Sequence, residues 1–163
     1  GARRAVAESR NGRIGIIGTA GTIGSGSYQQ IVRALAPEAE VHAKACPLFV
    51  PLVEEGWITG AVPEAVAREY LTTILEAGVD TLILGCTHYP LLKETLARIA
   101  GSGVRLVDSA EATSGVVAEL VSALGPTSAL DGAPSHRYLV TDAPETFHQL
   151  GRRFLGHDLD HVE

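Results

Sequence analysis

Short apolar runs alternate with amphipathic stretches along this chain, and the alternation predicts its elements. RIGIIGT, Arg13 to Thr19, is apolar up to a closing glycine and threonine. The glycine- and serine-rich AGTIGSGS follows, and then YQQIVRALAP, whose apolar positions Ile31, Val32, Leu35 and Ala36 recur at helical spacing. That reads as strand, loop, helix. EVHAKACPLF reads as a second strand leading into a turn at Pro47, and VPLVEEGW begins another segment after Pro51. Pro63 stands near the start of PEAVAREYLTTILEAG, a predicted helix closed by Gly78, as an N-terminal proline and a C-terminal glycine suit. VDTLILG is nearly continuous in apolar residues, as a parallel strand buried on both faces is. YPLLKETLARIAG supplies the next helix, VRLVDS a strand, and AEATSGVVAELVSALG a helix with Gly125 past its end. HRYLVTD and PETFHQLGRRFLG repeat the strand and helix once more. The alternation predicts an α/β fold with a doubly wound, mostly parallel sheet.

In such sheets ligands sit beyond the carboxyl ends of the strands, in the loops that lead into helices. The loop after RIGII, the loop after LIL and the turn at CPLF all fall at those ends. Their residues are therefore expected to converge.

Composition narrows the picture. With 163 residues, 45% of them hydrophobic, the chain suffices for one compact domain, or one domain plus part of another. The net charge is -6 and the basic residues are scattered, so no stripe tracks a nucleic-acid backbone. Two cysteines forty positions apart make neither a metal-spaced set nor a disulfide scaffold, which suits a reducing cytoplasm. No apolar run reaches the length of a membrane span, and GARRAVAESRNGR lacks the apolar stretch of a signal peptide. The expectation is a soluble, cytoplasmic protein that binds neither nucleic acid nor membrane. The chain contains no methionine, and its opening reads as the end of a helix or a linker, so it is expected to be part of a longer protein.

Three groups carry candidate chemistry. The loop GTAGTIGSGS has glycines at 18, 21, 24 and 26, which make no clean dinucleotide or Walker motif. It is either an anion-binding loop or simple turn chemistry; in the first case Thr19 and Thr22 would hold a carboxylate beside the backbone amides. Cys86 lies two residues from His88 at the end of an apolar run. In an extended stretch the two side chains share a side, so an imidazole would lie beside the sulfur. Cys86 is thus either a reactive thiol or a small buried hydrophobe. Cys46, with no acid or base within two residues, reads as a buried structural thiol. Glu54 and Glu55 suit a solvated loop face, or one of them orients His88. His136, His148, His157 and His161 read as surface residues, and no metal site is expected.

LILGCTHYPLL closely resembles the second catalytic motif of bacterial glutamate racemases, within the aspartate/glutamate racemase family. IGIIGTAGTIGSGSY resembles that family's strand and threonine loop, ACPLFVPLVEEG its glutamate-bearing segment, and VRLVDSAEAT the strand that returns to its first domain. Four motifs in the family's order cover almost the whole chain. The resemblance implies cofactor-independent interconversion of L- and D-glutamate, an isomerase activity that supplies D-glutamate for peptidoglycan and hence cell-wall biogenesis and cell shape. Two thiols on opposite faces of the substrate do this work, one removing the α-proton and the other returning one. Cys86 takes the place of the second thiol, expected to act on the L-enantiomer. His88 would assist it and Glu54 would hold His88. Thr87, His88, Thr19 and Thr22 match substrate-binding residues.

The family's Asp-Ser-Gly strand end and its first catalytic cysteine have no counterpart here. VDSA, Val107 to Ala110, is similar to the missing Asp-Ser pair but matches the return strand, so no catalytic role passes to Asp108 or Ser109. The resemblance implies a connecting end at residues 1–6, the second racemase domain at 7–101, and the returning part of the first domain at 102–163. The chain alone is expected to be a weak or inactive racemase that needs the N-terminal segment, as a separate chain or a longer parent. A homodimer is left open. The rivals are an aspartate or other amino-acid racemase, and a binding-only or inactive fragment.

Overall fold

The computed structural model describes residues 1–125 and 136–163. Four parallel strands, β1 (Arg13–Gly18), β2 (Glu40–Ala45), β3 (Thr81–Leu84) and β4 (Arg105–Asp108), form a sheet in the order β2-β1-β3-β4. The register aligns Ile14 with both Val41 and Thr81, and Leu84 with Asp108. The expected parallel α/β architecture is therefore present.

Alternation along the central strands decides which helices they hold. Successive side chains point to opposite faces, and both faces of β1 and β3 are apolar because both are covered. Ile14, Ile16, Ile83 and Val107 pack with Ala2 and Ala5 of α1 (Ala2–Glu8) and with Val32, which lies beyond α2 (Ala20–Ser25) on α3 (Ser27–Leu35). Ile17, Leu82 and Leu84 face the other way. They meet Phe49 and Val53 of α4 (Phe49–Glu54), Ala67, Leu71 and Ile74 of α5 (Ala61–Glu76), and Leu96 of α6 (Lys93–Ala100). A 3-10 turn, Tyr89–Leu92, leads into α6, and α7 (Ser109–Leu124) follows β4.

Three local expectations are corrected. AGTIGSGS is not a loop, because its first six residues form α2. Thr19 caps that helix by accepting a 3.2 Å hydrogen bond from the Thr22 amide, and Gly26 ends it in a left-handed conformation, φ 67°. A good cap at each end outweighs the low helix propensity of two internal glycines. No new segment begins after Pro51 either. It lies in the first turn of α4, where its missing N–H has no helical acceptor to lose. HRYLVTD forms no strand of the sheet.

Contact density divides the chain into two units, Gly1–Leu120 and Val121–Glu163. In the second, Tyr138 and Val162 make one parallel bridge, with hydrogen bonds from Tyr138 N to His161 O (3.0 Å) and from Glu163 N to Tyr138 O (2.9 Å). His136, Arg137 and Leu139 are exposed while Tyr138 and Val140 are half-buried, and the stretch pairs with residues 161–163. The same unit contains α8 (Pro144–Leu155).

At the amino edge of the sheet, Asp80 fastens the α1–β1 connection to β3. Its carboxylate accepts hydrogen bonds from the amides of Arg10 (2.6 Å) and Asn11 (2.8 Å), from Ser9 Oγ (2.7 Å) and from Thr81 Oγ1 (3.0 Å). Burial pushes this carboxyl upward, but the hydrogen bonds together outweigh it and hold Asp80 below its ordinary value. Asp80→Asn is expected to cost about 1–3 kcal/mol in urea titrations near neutral pH. A depressed carboxylate stabilises above its unfolded-state value, and the benefit is lost as pH falls through the folded one. The gap between the two proteins should therefore narrow in acid.

Candidate active site

The carboxyl ends of the strands are stitched to one another. The Gly85 amide donates to Ile17 O (2.7 Å) and the Cys46 amide donates to Gly18 O (2.8 Å). These bonds gather the segments after β1, β2 and β3 at the point where the strand order reverses, between β1 and β3. Ligands of open α/β sheets bind at such a switch point.

Cys86 leaves β3 there and is partly exposed. The chain does not stay extended as expected. It turns, with Tyr89 N donating to Cys86 O (3.2 Å) and His88 in the right-handed helical region (φ -79°, ψ -29°). The turn still brings imidazole to thiol: Sγ lies 4.0 Å from His88 Nδ1, and Thr87 Oγ1 lies 3.4 Å from the same nitrogen. His88 Nε2 lies 3.5 Å from Glu54 Oε1 at the end of α4. Thiol, imidazole and carboxylate thus stand in series, at separations longer than an ideal hydrogen bond.

Thr19 and Thr22 share a 3.0 Å hydrogen bond between their hydroxyls. The Thr22 side chain packs against Gly18, where a Cβ would lie 3.1 Å from it, and its methyl would lie 3.6 Å from a Cβ at Gly85. Beside Cys86 opens a cavity of about 570 Å³, lined also by Thr87, Tyr28, Asp108, Ser109 and Thr113. Of the sequence-expected residues it reaches Cys86 and Thr87. His88, Glu54, Thr19 and Thr22 lie outside its lining.

Cys46 is the other thiol and is fully buried. Its Sγ faces Lys44 O at 3.6 Å, and burial pushes it up to about 12. It is inert in the sense expected of a structural cysteine.

Sequence reasoning missed Tyr89. Its buried hydroxyl donates to Cys46 O (2.8 Å), and its ring stands edge-on to Phe49, with centroids 5.2 Å apart. Burial pushes this phenol far above its ordinary value, so it stays neutral and remains a donor. Tyr89 follows His88 directly and anchors the turn that carries it. Tyr89→Phe should remove one of the two hydrogen bonds to Cys46 O, leaving that of the Phe49 amide (3.2 Å), and lower stability by about 0.5–1.5 kcal/mol in thermal melts, with the ring packing retained. The signal that could have found it is an apolar-flanked tyrosine next to a candidate functional histidine.

His136, His157 and His161 are exposed and His148 partly so. Among the described residues no cluster of three His, Cys, Asp or Glu is arranged to hold a metal ion, and no helix is long and apolar enough to cross a membrane.

A parallel α/β sheet with a thiol and an imidazole at its switch point defines the class: an α/β protein with a candidate site at the carboxyl edge of the sheet. The Asp/Glu/hydantoin racemase family model matches residues 2–116, and the chain belongs to that family. It is 52% identical, over 99% of its length, to a glutamate racemase of Geobacter metallireducens. Among solved structures it resembles a glutamate racemase isoform from Bacillus anthracis (TM-score 0.89, 33% identity) and the Francisella tularensis glutamate racemase in complex with D-glutamate (TM-score 0.88, 34% identity). Each match covers 99% of this chain. The chain spans about 60% of the length of the curated relatives it matches, and 60–61% of those two structures.

Proposed function

We propose that this chain carries one of the two proton-transfer centres of a glutamate racemase, with Cys86 as its acid–base group. The observation that carries the reading is the series Cys86, His88, Glu54 at the switch point, beside a cavity that the thiol borders. Cys86 as thiolate takes the α-proton of L-glutamate, and as thiol it returns one to the same face. His88 assists by accepting the thiol proton at Nδ1 as the thiolate forms, and Glu54 fixes the imidazole through Nε2. Thr87, His88, Thr19 and Thr22 bind the substrate, hydrogen bonding to its carboxylates as negative charge builds in the carbanion.

Inversion needs a second thiol on the opposite face. Cys46 does not suit that role, because it is buried and held up to about 12. The second acid would come from a segment corresponding to the part of the relatives that this chain does not match. Residues 7–101 then form the second racemase domain, with 1–6 the end of a connecting segment and 102–163 the returning part of the first. The product, D-glutamate, would serve peptidoglycan synthesis in the cytoplasm. The family includes aspartate and hydantoin racemases, and the named relatives favour glutamate.

The test follows the α-proton of L-glutamate by proton NMR in deuterated buffer, with a chiral assay for D-glutamate. It uses the chain alone and the chain mixed with the unmatched part of the Geobacter relative. D-glutamate formed only in the mixture is the expected result. D-glutamate formed by the chain alone would overturn the division of the two acids, and silence in both with L-aspartate turned over would overturn the choice of substrate.

A further inference from the structure

One wall of the cavity beside Cys86 depends on a contact outside the thiol, imidazole and carboxylate series. Tyr28, in the first turn of α3, shares a 2.8 Å hydrogen bond through its hydroxyl with Ser109 Oγ, the first residue of α7. Its ring also occupies the space that glycine leaves at position 85, since a Cβ there would lie 3.3 Å from the ring Cε2. Asp108 Oδ1 accepts from the amides of Ala110 (2.7 Å) and Glu111 (3.4 Å), which fixes the start of α7. Tyr28 therefore places its ring over Gly85, the residue before Cys86, and bonds the opposite wall with its hydroxyl.

We infer that Tyr28 and Ser109 form a positioning pair that sets the width of the cavity and holds the Cys86 thiol toward it. A tyrosine suits this because its ring is stiff and its hydroxyl is its one polar contact. The catalytic consequence rests on the racemase reading above; the positioning itself is readable without turnover. Displacing a reacting group by about 1 Å can cost on the order of a hundredfold in rate. A pair that packs on Gly85, the residue before the thiol, is well situated to prevent such a shift.

The experiment compares the full chain with its Tyr28→Phe, Ser109→Ala and Ser109→Thr variants and the Tyr28→Phe/Ser109→Ala double variant. Alkylation of Cys86 by iodoacetamide is followed by mass spectrometry, with buried Cys46 as a non-competing thiol. Melting temperatures are recorded alongside, and kcat and KM for L-glutamate exchange are measured in the mixture described above. Tyr28→Phe and Ser109→Ala should each raise the alkylation rate about fivefold as the wall loosens, and lower kcat on the order of tenfold with KM nearly unchanged. Ser109→Thr should restore both, and the double variant should go no further than either single one, because one bond is lost in all three. Alkylation within about twofold of the parent in both single variants overturns the inference. So does an alkylation change in Ser109→Thr as large as in Ser109→Ala. Exchange that is silent throughout while alkylation responds as expected upholds the positioning pair and removes only the glutamate reading.

Discussion

Cys86→Ala is expected to lower α-proton exchange of L-glutamate by about a thousandfold, the scale of a lost acid–base group. The chain should still fold, because the side chain is partly exposed and the neighbouring Tyr89 anchor is untouched. Cys86→Ser should fare little better: the hydroxyl fits, but it does not ionise near neutral pH as a thiol does. His88→Asn should lose less, since it removes an assisting group and leaves the sulfur in place. Proton NMR in deuterated buffer reads all three, with circular dichroism to check folding. Exchange that persists at the parent rate in Cys86→Ala would remove the thiol from the mechanism altogether.

The largest stability loss is expected from Gly85→Val. A Cβ at this position would lie 2.8 Å from Ile17 O, a backbone atom that cannot swing aside, and 3.3 Å from the Tyr28 ring. The Gly85 amide is bonded to that same carbonyl, so the two central strands must part to admit a side chain. The cost should be about 3 kcal/mol, or a fall of roughly 6–12 °C in melting temperature for a chain of this size. Gly103→Ala serves as the control, because a Cβ there has no atom within 4 Å. Equal melting temperatures for the two variants would show that the strand ends are looser than the 2.7 Å bond implies.

The central sheet was legible in the sequence because its strands are written as uninterrupted apolar runs. IGII and TLIL have no polar side chain beyond one threonine, and only burial on both faces permits that. The failures came where local chemistry outweighed composition. Gly and Ser in AGTIGSGS suggested a loop, yet the Thr19 cap was enough to wind six residues. HRYLVTD has strand-like residues but makes one bridge, Tyr138 to Val162, rather than a strand, and periodicity alone does not show that. At the site, the closeness of Cys86 and His88 was readable from their spacing, although a turn rather than a strand produces it. Spacing did not choose between the adjacent Glu54 and Glu55; the family resemblance pointed to Glu54, which lies 3.5 Å from His88 Nε2. Tyr28 and Ser109 are 81 positions apart, and no local pattern announces a long-range hydrogen bond.

The strand order also governs what happens while the chain is being made. Of these four strands β1 leaves the ribosome first, yet it lies inside the sheet, between β2 and β3. Ile14 finds Val41 early, but its other neighbour, Thr81, is synthesised much later. At about 5–20 residues per second that interval lasts roughly 3–13 s. For those seconds an isoleucine-rich strand has an open edge and an uncovered face, a sticky nascent intermediate that a chaperone or the ribosome surface must shield. The strand that later brings Thr19 to the site thus spends part of translation with an unpaired edge.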